Sequence, residues 1–243
     1  YMHVFCEAVK IGDYLRDRYL ADTKTNKLSI DQFLSDKMID SFISLIDLSK
    51  AKSYEKTDFP AHPDTIYLTV RDKNGMTISF INSLFDAFGS GVTAPKSGIL
   101  FHCRGRAFNL IKDHPNELNP NKRPLHTIIP AMVSDNDKLI GSFGVMGGQY
   151  QAAGHAYVLS QMIDFGLSPQ QALDFPRVFP NKNILDFENK FDKDVIDDLA
   201  LRGHEINHPA LPIGGGQMIV IDNDIDVLIG ATDWRKDGLA IGY

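Results

Sequence analysis

The chain has 243 residues, 43% hydrophobic and 23% charged, an ordinary globular composition with enough apolar material for one large core or two smaller ones. Its net charge of −6 and pI of about 5.7 argue against a general affinity for nucleic acid or anionic membranes, both of which need clustered Lys and Arg. Two distant cysteines, Cys6 and Cys103, support neither a disulfide framework nor a thiolate metal cage, and no run reaches the ~18 apolar residues of a membrane helix. No signal peptide opens the sequence at Tyr1. The expected location, with any upstream targeting segment left open, is the cytoplasm.

In chain order, Val4, Phe5, Ala8, Val9 and Tyr14 recur at helical spacing, and Phe33, Leu34, Met38, Phe42 and Leu45 mark a second amphipathic helix opening at Ser29. The segment SKAKSYEKTDFPAHPD, Ser49 to Asp64, is polar, carries two prolines and reads as an exposed, mobile linker. Periodicity then switches to two. Thr65 to Val70 alternates with Ile66, Leu68 and Val70 on one face, Met76 to Leu84 offers a second strand, and Asp72-Lys73-Asn74-Gly75 between them signals a hairpin. With a three-residue loop closed by Gly75 in the left-handed region, Asp72 pairs with Met76 and the register sets Thr65 directly across from Ser83.

Farther along, Leu139 to Val145 predicts a buried strand ending at Met146-Gly147-Gly148, followed by a helix from about Gln151 to Phe165 that stops at Gly166. Lys193 to Leu201 predicts another helix, ended by Gly203. Met218 to Ile221 and Val227 to Ile229 make a late hairpin, so the fold class is α+β with a largely antiparallel sheet.

Three motifs carry less than their spacing suggests. His204-Glu205-Ile206-Asn207-His208 satisfies H-E-x-x-H, but Gly203 before it stops a helix and Pro209 after it cannot continue one. The two imidazoles therefore do not share a helical face, a short strand is expected, and no metal is assigned. Asp222-x-Asp224-x-Asp226 starts like a calcium loop but has Val227 where the sharp turn needs Gly, so an acidic hairpin tip is expected. Gly214-Gly215-Gly216 lacks the Lys-Ser/Thr of a phosphate loop and reads as a flexible turn.

Thr65 is different because of what could happen just before it. A threonine hydroxyl is a poor nucleophile at neutral pH, and a free α-amino group on the same residue is a suitable base, with a pKa of about 7.7 to 8.0. That requires a cut at Asp64-Thr65, and a proline-containing loop upstream suits a scissile bond. Spacing alone leaves an ordinary strand threonine as the simpler reading.

Several separated blocks bear on the choice. They include Thr65-Ile66-Tyr67, Phe88-Gly89-Ser90-Gly91, Asn119-Pro120-Asn121-Lys122-Arg123-Pro124-Leu125, Gly147-Gly148, Ile163-Asp164-Phe165-Gly166-Leu167, Ala172-Leu173-Asp174-Phe175-Pro176-Arg177 and Gly230-Ala231-Thr232-Asp233-Trp234-Arg235-Lys236-Asp237-Gly238. In order and spacing they resemble the γ-glutamyltransferase (glutathione hydrolase) family, in the divergent branch close to the cephalosporin acylases. The resemblance implies an N-terminal-nucleophile hydrolase with a four-layer αββα sandwich, made as one precursor that cuts itself. Residues 65–243 would be the small subunit and residues 1–64 the end of the large one.

By position, the resemblance implies that Asp64-Thr65 is the processing bond, Thr65 the nucleophile, Ser83 a second hydroxyl beside it, and Gly147 and Gly148 the oxyanion hole. Arg104 and Ala107 stand where glutathione-active members hold the substrate's α-amino group with a Gln and an Asp. His126 and Thr127 replace paired serines for the α-carboxylate, and Phe85 replaces an Asn. Ordinary γ-glutamyl recognition is thereby called into question. Bland readings stand beside these roles: Arg104 as a surface ion-pair partner, His126 as a core imidazole, the glycine pair as a strand-to-helix turn. The implied partners are a small-molecule or peptide amide resembling glutathione and the large subunit of the same precursor, with dimerisation left open. No cofactor is implied. Two alternatives remain, an acylase for a non-glutamyl amide and an unprocessed, non-catalytic binding protein.

Overall fold

A computed structural model of the chain describes residues 1–26, 29–55, 64–181 and 183–243, and for Asp64 the backbone alone. The helices are α1 (Met2–Tyr19), α2 (Ile30–Phe33), α3 (Asp36–Ile43), α4 (Tyr150–Ile163), α5 (Pro169–Asp174) and α6 (Lys193–Leu201). The strands are β1 (Asp64–Arg71), β2 (Thr77–Phe85), β3 (Ala131–Asp135), β4 (Lys138–Met146), β5 (Val178–Asn181), β6 (Ile184–Phe187), β7 (Glu205–Asn207), β8 (Gly215–Asp222) and β9 (Val227–Thr232). They divide between two units: one of Tyr1–Pro60, Gly105–His126 and Pro176–Ala210, and a second of Ala61–Arg104, Thr127–Phe175 and Leu211–Tyr243. No helix among the described residues is long and apolar enough to cross a membrane.

The second unit is built on the antiparallel sheet β3-β4-β8-β9. Strand β4 shows why it has a layer on each side, because alternate residues point to opposite faces. A Cβ on Gly144 would lie 2.3 Å from the Tyr67 ring of β1, whereas Val145 Cγ1 would be 2.6 Å from a Cβ on Gly154 of α4. Glycines at these two places let a strand hairpin and a helix approach the same sheet from opposite sides. The sheet–sheet contact is partly polar. Tyr67 Oη is 2.7 Å from Ser79 Oγ and 3.3 Å from Ser142 Oγ, and Thr69 Oγ1 donates to Ser142 Oγ at 2.8 Å. On the helical side Val145, Tyr157, Val158 and Leu173 are completely buried, each worth roughly 1.5–3 kcal/mol of apolar transfer.

Helix, sheet, sheet are thus three layers of the expected sandwich. The outward face of β1-β2 carries Ile66, Leu68, Val70, Ile78 and Phe80, exposed by 43–71%. The alternation in β1 is as expected, but the side turned inward is that of Thr65 and Tyr67. The hairpin loop is also as read: Gly75 has φ +87°, its N–H donates to Asp72 O at 3.0 Å, and Asp72 N–H donates to Met76 O at 3.0 Å.

In the first unit, β5-β6 pair antiparallel and β6-β7 parallel, and α1 packs against β5 and α6. The apolar stripe expected of α1 does not face inward. Val4 is 41% exposed, and the buried side carries His3, Cys6, Glu7, Lys10, Ile11, Asp13 and Asp17. Such a face is stable because fixed partners meet most of its polar atoms, although Asp17 Oδ2 has none among the described residues. The helix expected from Ser29 is two helices, since Ser29 caps α2 in a reciprocal box with Gln32 while Ser35, extended at φ −67° and ψ 143°, ends that turn and begins α3. The linker reading needs correction over its first half. Ala51 N–H donates to Arg202 O, and Tyr54 exchanges two hydrogen bonds with Asn183, so this stretch is tied down. The remainder of that reading, residues 56–63, lies outside the described residues.

Candidate active site

Thr65 sits where the hairpin register breaks. Pairing runs regularly from Arg71↔Thr77 to Ile66↔Asn82, and then Asp64 pairs with Phe85. One residue of β1, Thr65, therefore faces two of β2, Ser83 and Leu84, across a bulge, rather than Ser83 alone. The extra residue bends β2 and re-aims its end. Thr65 is 8% exposed, and its Oγ1 is buried without a hydrogen-bond partner among the described residues. A buried hydroxyl left unpaired is uncommon enough to call for an explanation. Asp64 continues β1 by its backbone.

Around the bulge the other expected residues take distinct places. Ser83 Oγ accepts the Phe85 N–H at 3.0 Å. Phe85 is completely buried with φ +82°, a conformation that a bulky side chain adopts only when its surroundings enforce it. Arg104 opens a short 3-10 turn (Arg104–Ala107), 5.7 Å from the Phe85 ring centroid, and its Nη2 donates to Ser83 O at 3.4 Å. It is 5% exposed, so it is no surface ion-pair partner, and burial lowers its pKa. Thr127 is buried with its Oγ1 unpartnered among the described residues. His126, which belongs to the first unit, is exposed and is no core imidazole.

Gly147 and Gly148 join β4 to α4 at φ +133° and +60°. Their carbonyls accept from Tyr150 and Gln151 N–H, while neither glycine's own N–H donates to a described residue. A cleft of about 510 Å³ connects this end of β4 to the nucleophile candidate: its lining includes Thr65, Tyr67, Met146, Gln217, Lys236 and Gly238. Thr65 and the residue preceding the glycine pair thus share one opening. The arrangement offers a hydroxyl without a partner and main-chain donors without acceptors, which is what attack on a carbonyl and stabilisation of its oxyanion require.

Sequence reasoning missed the support beneath this turn. Gly214, Gly215 and Gly216 are no flexible turn: Gly215 and Gly216 pair with Met146 and Val145 in the sheet, and a Cβ on Gly214 would lie 2.6 Å from Met146 O. The facing glycine runs were the signal. Asp233 fastens β8 to the segment after β9 by accepting Gly216 N–H at 2.9 Å and pairing with Arg235 at 3.1 Å, both side chains fully buried. Arg235 in turn caps the Leu173 and Phe175 carbonyls at the end of α5.

The metal motif resolves as expected in its geometry: residues 205–207 are strand β7, and His208 Nδ1 lies 3.2 Å from Phe187 O. His204 joins a different group, in the first unit. His3, Glu7 and His204 put potential ligand atoms within 4.8 Å of one another. A cation already occupies this cluster, because Lys10 Nζ donates to Glu7 Oε1 at 2.8 Å, to Lys52 O at 3.0 Å and contacts His204 Nδ1 at 3.3 Å. His3 Nε2 meets Asp47 O at 2.8 Å and His3 Nδ1 meets His204 Nε2 at 2.8 Å. One proton assignment satisfies every atom: His3 neutral with Nε2–H, His204 neutral with Nε2–H, and Lys10 charged. Burial and the neighbouring cations Lys10 and Arg202, with His3, hold the His204 pKa down to about 4.

Comparison with known proteins decides the family. The gamma-glutamyltranspeptidase family matches the chain over residues 1–243. The chain belongs to that family. It is 32% identical over its whole length to the glutathione hydrolase-like YwrD proenzyme of Bacillus subtilis (strain 168), and 31% identical to the oxamate amidohydrolase proenzyme of Klebsiella pneumoniae subsp. pneumoniae, covering 47% of each. Among solved structures, the cephalosporin acylase from Bacillus halodurans superposes with a TM-score of 0.85 at 33% identity, over 99% of this chain and 50% of that one. The fold is therefore the α+β sandwich of that family. The chain spans about half the length of the curated relatives it matches.

Proposed function

We propose that the protein is a self-processing amidohydrolase or acyltransferase whose nucleophile is Thr65. The observation that carries this reading is the Thr65 hydroxyl, without a partner among the described residues, buried at a bulge and sharing a cleft with the strand end that leads into Gly147-Gly148. Processing begins when Thr65 Oγ1 attacks the Asp64 carbonyl carbon. The C–N bond breaks, the acyl group moves to oxygen, and the proton passes to the freed amine. Water then hydrolyses the ester and releases residue 64 with a new carboxylate.

In turnover the Thr65 amine takes the hydroxyl proton as Oγ1 attacks a substrate amide, and returns it to the leaving amine. The Gly147 and Gly148 N–H groups hold the oxyanion, a task for which each fixed donor is typically worth about 3 to 4 kcal/mol. Ser83 is the second hydroxyl at the bulge. Water completes hydrolysis, and an amine acceptor completes transfer. No step needs a metal or organic cofactor.

The relatives' names speak of glutathione hydrolysis, oxamate amidohydrolysis and cephalosporin acylase chemistry, and glutathione, oxamate and cephalosporins all contain amide bonds, which frames the substrate as an amide. On this reading residues 1–64 close the large subunit and 65–243 form the small one. The remainder of the large subunit is the partner that covers the apolar outer face of β1-β2. Thr65→Ala in the full-length protein is the direct test: mass analysis should find the chain uncut and amidase activity absent, and either function surviving would refute the assignment.

A further inference from the structure

The strand end that leads into the glycine pair is held by α4 as well as by its sheet. Pairing of β3 with β4 stops at Ala131↔Phe143. Two steps farther, Val145 and Ile129 give their N–H groups to side chains of α4, Val145 to His155 Nε2 at 3.4 Å and Ile129 to Gln151 Oε1 at 3.3 Å. Backbone donors that the sheet leaves open are thereby satisfied.

The tautomer of His155 follows from its other nitrogen. Nδ1 lies 2.6 Å from Gln151 O, which can only accept, so Nδ1 carries the proton and Nε2 keeps a lone pair for Val145. The imidazole is buried beside the Phe143 ring, 5.0 Å between centroids, and burial lowers its pKa. Its neighbours are Gln151 on α4, Phe143 and Val145 on β4 and the Ile129 backbone, none of which titrates. The neutral ring is therefore the resident form.

Gly154, one residue earlier on α4, would place a Cβ only 2.6 Å from Val145 Cγ1. Consecutive residues of the helix thus grip the side chain and the N–H of Val145, two positions before Gly147. Beyond the turn the chain enters the same helix, with Gly147 O and Gly148 O accepting the Tyr150 and Gln151 N–H groups. The glycine pair lies on a short loop that one helix fixes at both ends.

We infer that neutral His155 is a positioning residue for the oxyanion site, holding the end of β4 so that the Gly147 and Gly148 N–H groups meet the reacting carbonyl. This rests on Thr65 and the glycine pair forming the catalytic site. A proton added to His155 turns Nε2 from acceptor into donor, and Val145 N–H loses its partner. The competing account is a core imidazole that only fills space beside Phe143.

The test uses the full-length protein with γ-glutamyl and glutaryl p-nitroanilide. His155→Leu keeps the bulk and loses the acceptor, and should lower kcat by roughly 10- to 100-fold with KM little changed, the scale of a slightly misplaced catalytic group. His155→Gln, whose Oε1 can take the Val145 N–H, should recover most of that loss. In wild type, log kcat should fall with the slope of one proton as the Thr65 amine is protonated and steepen below about pH 6.5, where His155 takes its own. His155→Gln should keep the single slope, over the range in which near-UV circular dichroism shows each protein folded.

Equal kcat in His155→Leu and His155→Gln overturns the inference, as does a pH profile that His155→Gln leaves unchanged. Should His155→Leu not fold, the two pH profiles decide. If wild type stays uncut and cleaves neither anilide, the reading of Thr65 has failed instead, and hydrogen exchange decides the placement. At one pH the peptide spanning Val145 to Gln149 should exchange roughly tenfold faster in His155→Leu than in His155→Gln, and equal rates would overturn it.

Discussion

Two buried polar groups of this chain are built on opposite plans. In the first unit His3, Glu7, Lys10 and His204 are almost wholly enclosed, and every donor has an acceptor. In the second unit, Thr65, Arg104 and Thr127 are enclosed just as well and each leaves a polar atom unmatched. Burial is therefore not what separates them. A completed network can only hold a structure together, whereas an incomplete one keeps a deficit that an incoming molecule can relieve. The contrast supports the proposal that chemistry takes place at the Thr65 bulge, and it gives the more conspicuous His-Glu-His cluster, already filled by Lys10, a structural role.

The comparison breaks first if the unmatched group is dispensable. Thr65→Ala should cause the largest effect, complete loss of self-cleavage and turnover. Next comes Gly147→Ala, which tests whether the main chain beside the cleft must keep its shape. A Cβ there would sit 2.8 Å from Gly214 Cα, and φ +133° is closed to side-chain-bearing residues. Since both contacting groups are backbone, neither yields. Single-turnover measurements should show a fall in kcat on the order of 100-fold, comparable to losing one oxyanion donor.

On the matched side, Lys10→Met leaves Glu7 buried without its cation and should cost about 3 to 5 kcal/mol, read from urea midpoints. Adding Glu7→Gln should recover part of that loss. A smaller effect comes from acid. His204 ordinarily titrates near 6.5 but is held to about 4 in the fold, so in that window the unfolded chain binds the extra proton. Stability from this group is full above about pH 6.5 and is lost as pH falls towards 4. The charged and titratable groups facing it are Lys10, Arg202, His3 and Glu7. His204→Gln should flatten the slope of unfolding free energy between pH 6.5 and 4, and an unchanged slope would place the titration elsewhere.

Local chemistry explains which features the sequence disclosed. The loop Asp72–Gly75 is set by its own residues, and so are the strand-to-helix turn at Gly147 and the helix stop at Gly203. Features decided by distant partners stayed hidden. Alternation in β1 gives two faces, but which one turns inward depends on Tyr67 seating on Gly144, 77 positions away. The register slips one step beyond Ile66↔Asn82, so the pairing of Thr65 with Ser83 is nearly right but misses the bulge. Strands β5, β6 and β7 have only 4, 4 and 3 residues, too few for a periodic signal. The inward face of α1 is polar because its distant partners come from residues 42 to 201 positions away. At the site, Thr65 and the glycine pair are singled out by the resemblance of the surrounding blocks to a known family, since spacing alone favours an ordinary strand threonine, while the burial of Arg104 and the left-handed Phe85 have no sequence signature.

The first unit is woven from three stretches of chain, and the proposed cut falls between the first stretch and the other two. Severing Asp64-Thr65 would leave residues 1–55 clasped by Asn183, Arg202 and His204. Folding would then happen once, as a single chain, while loss of structure afterwards would send two strangers into solution whose reunion depends on concentration. Such a molecule would rely for its lifetime on the slowness of its unfolding, because the road back has been removed.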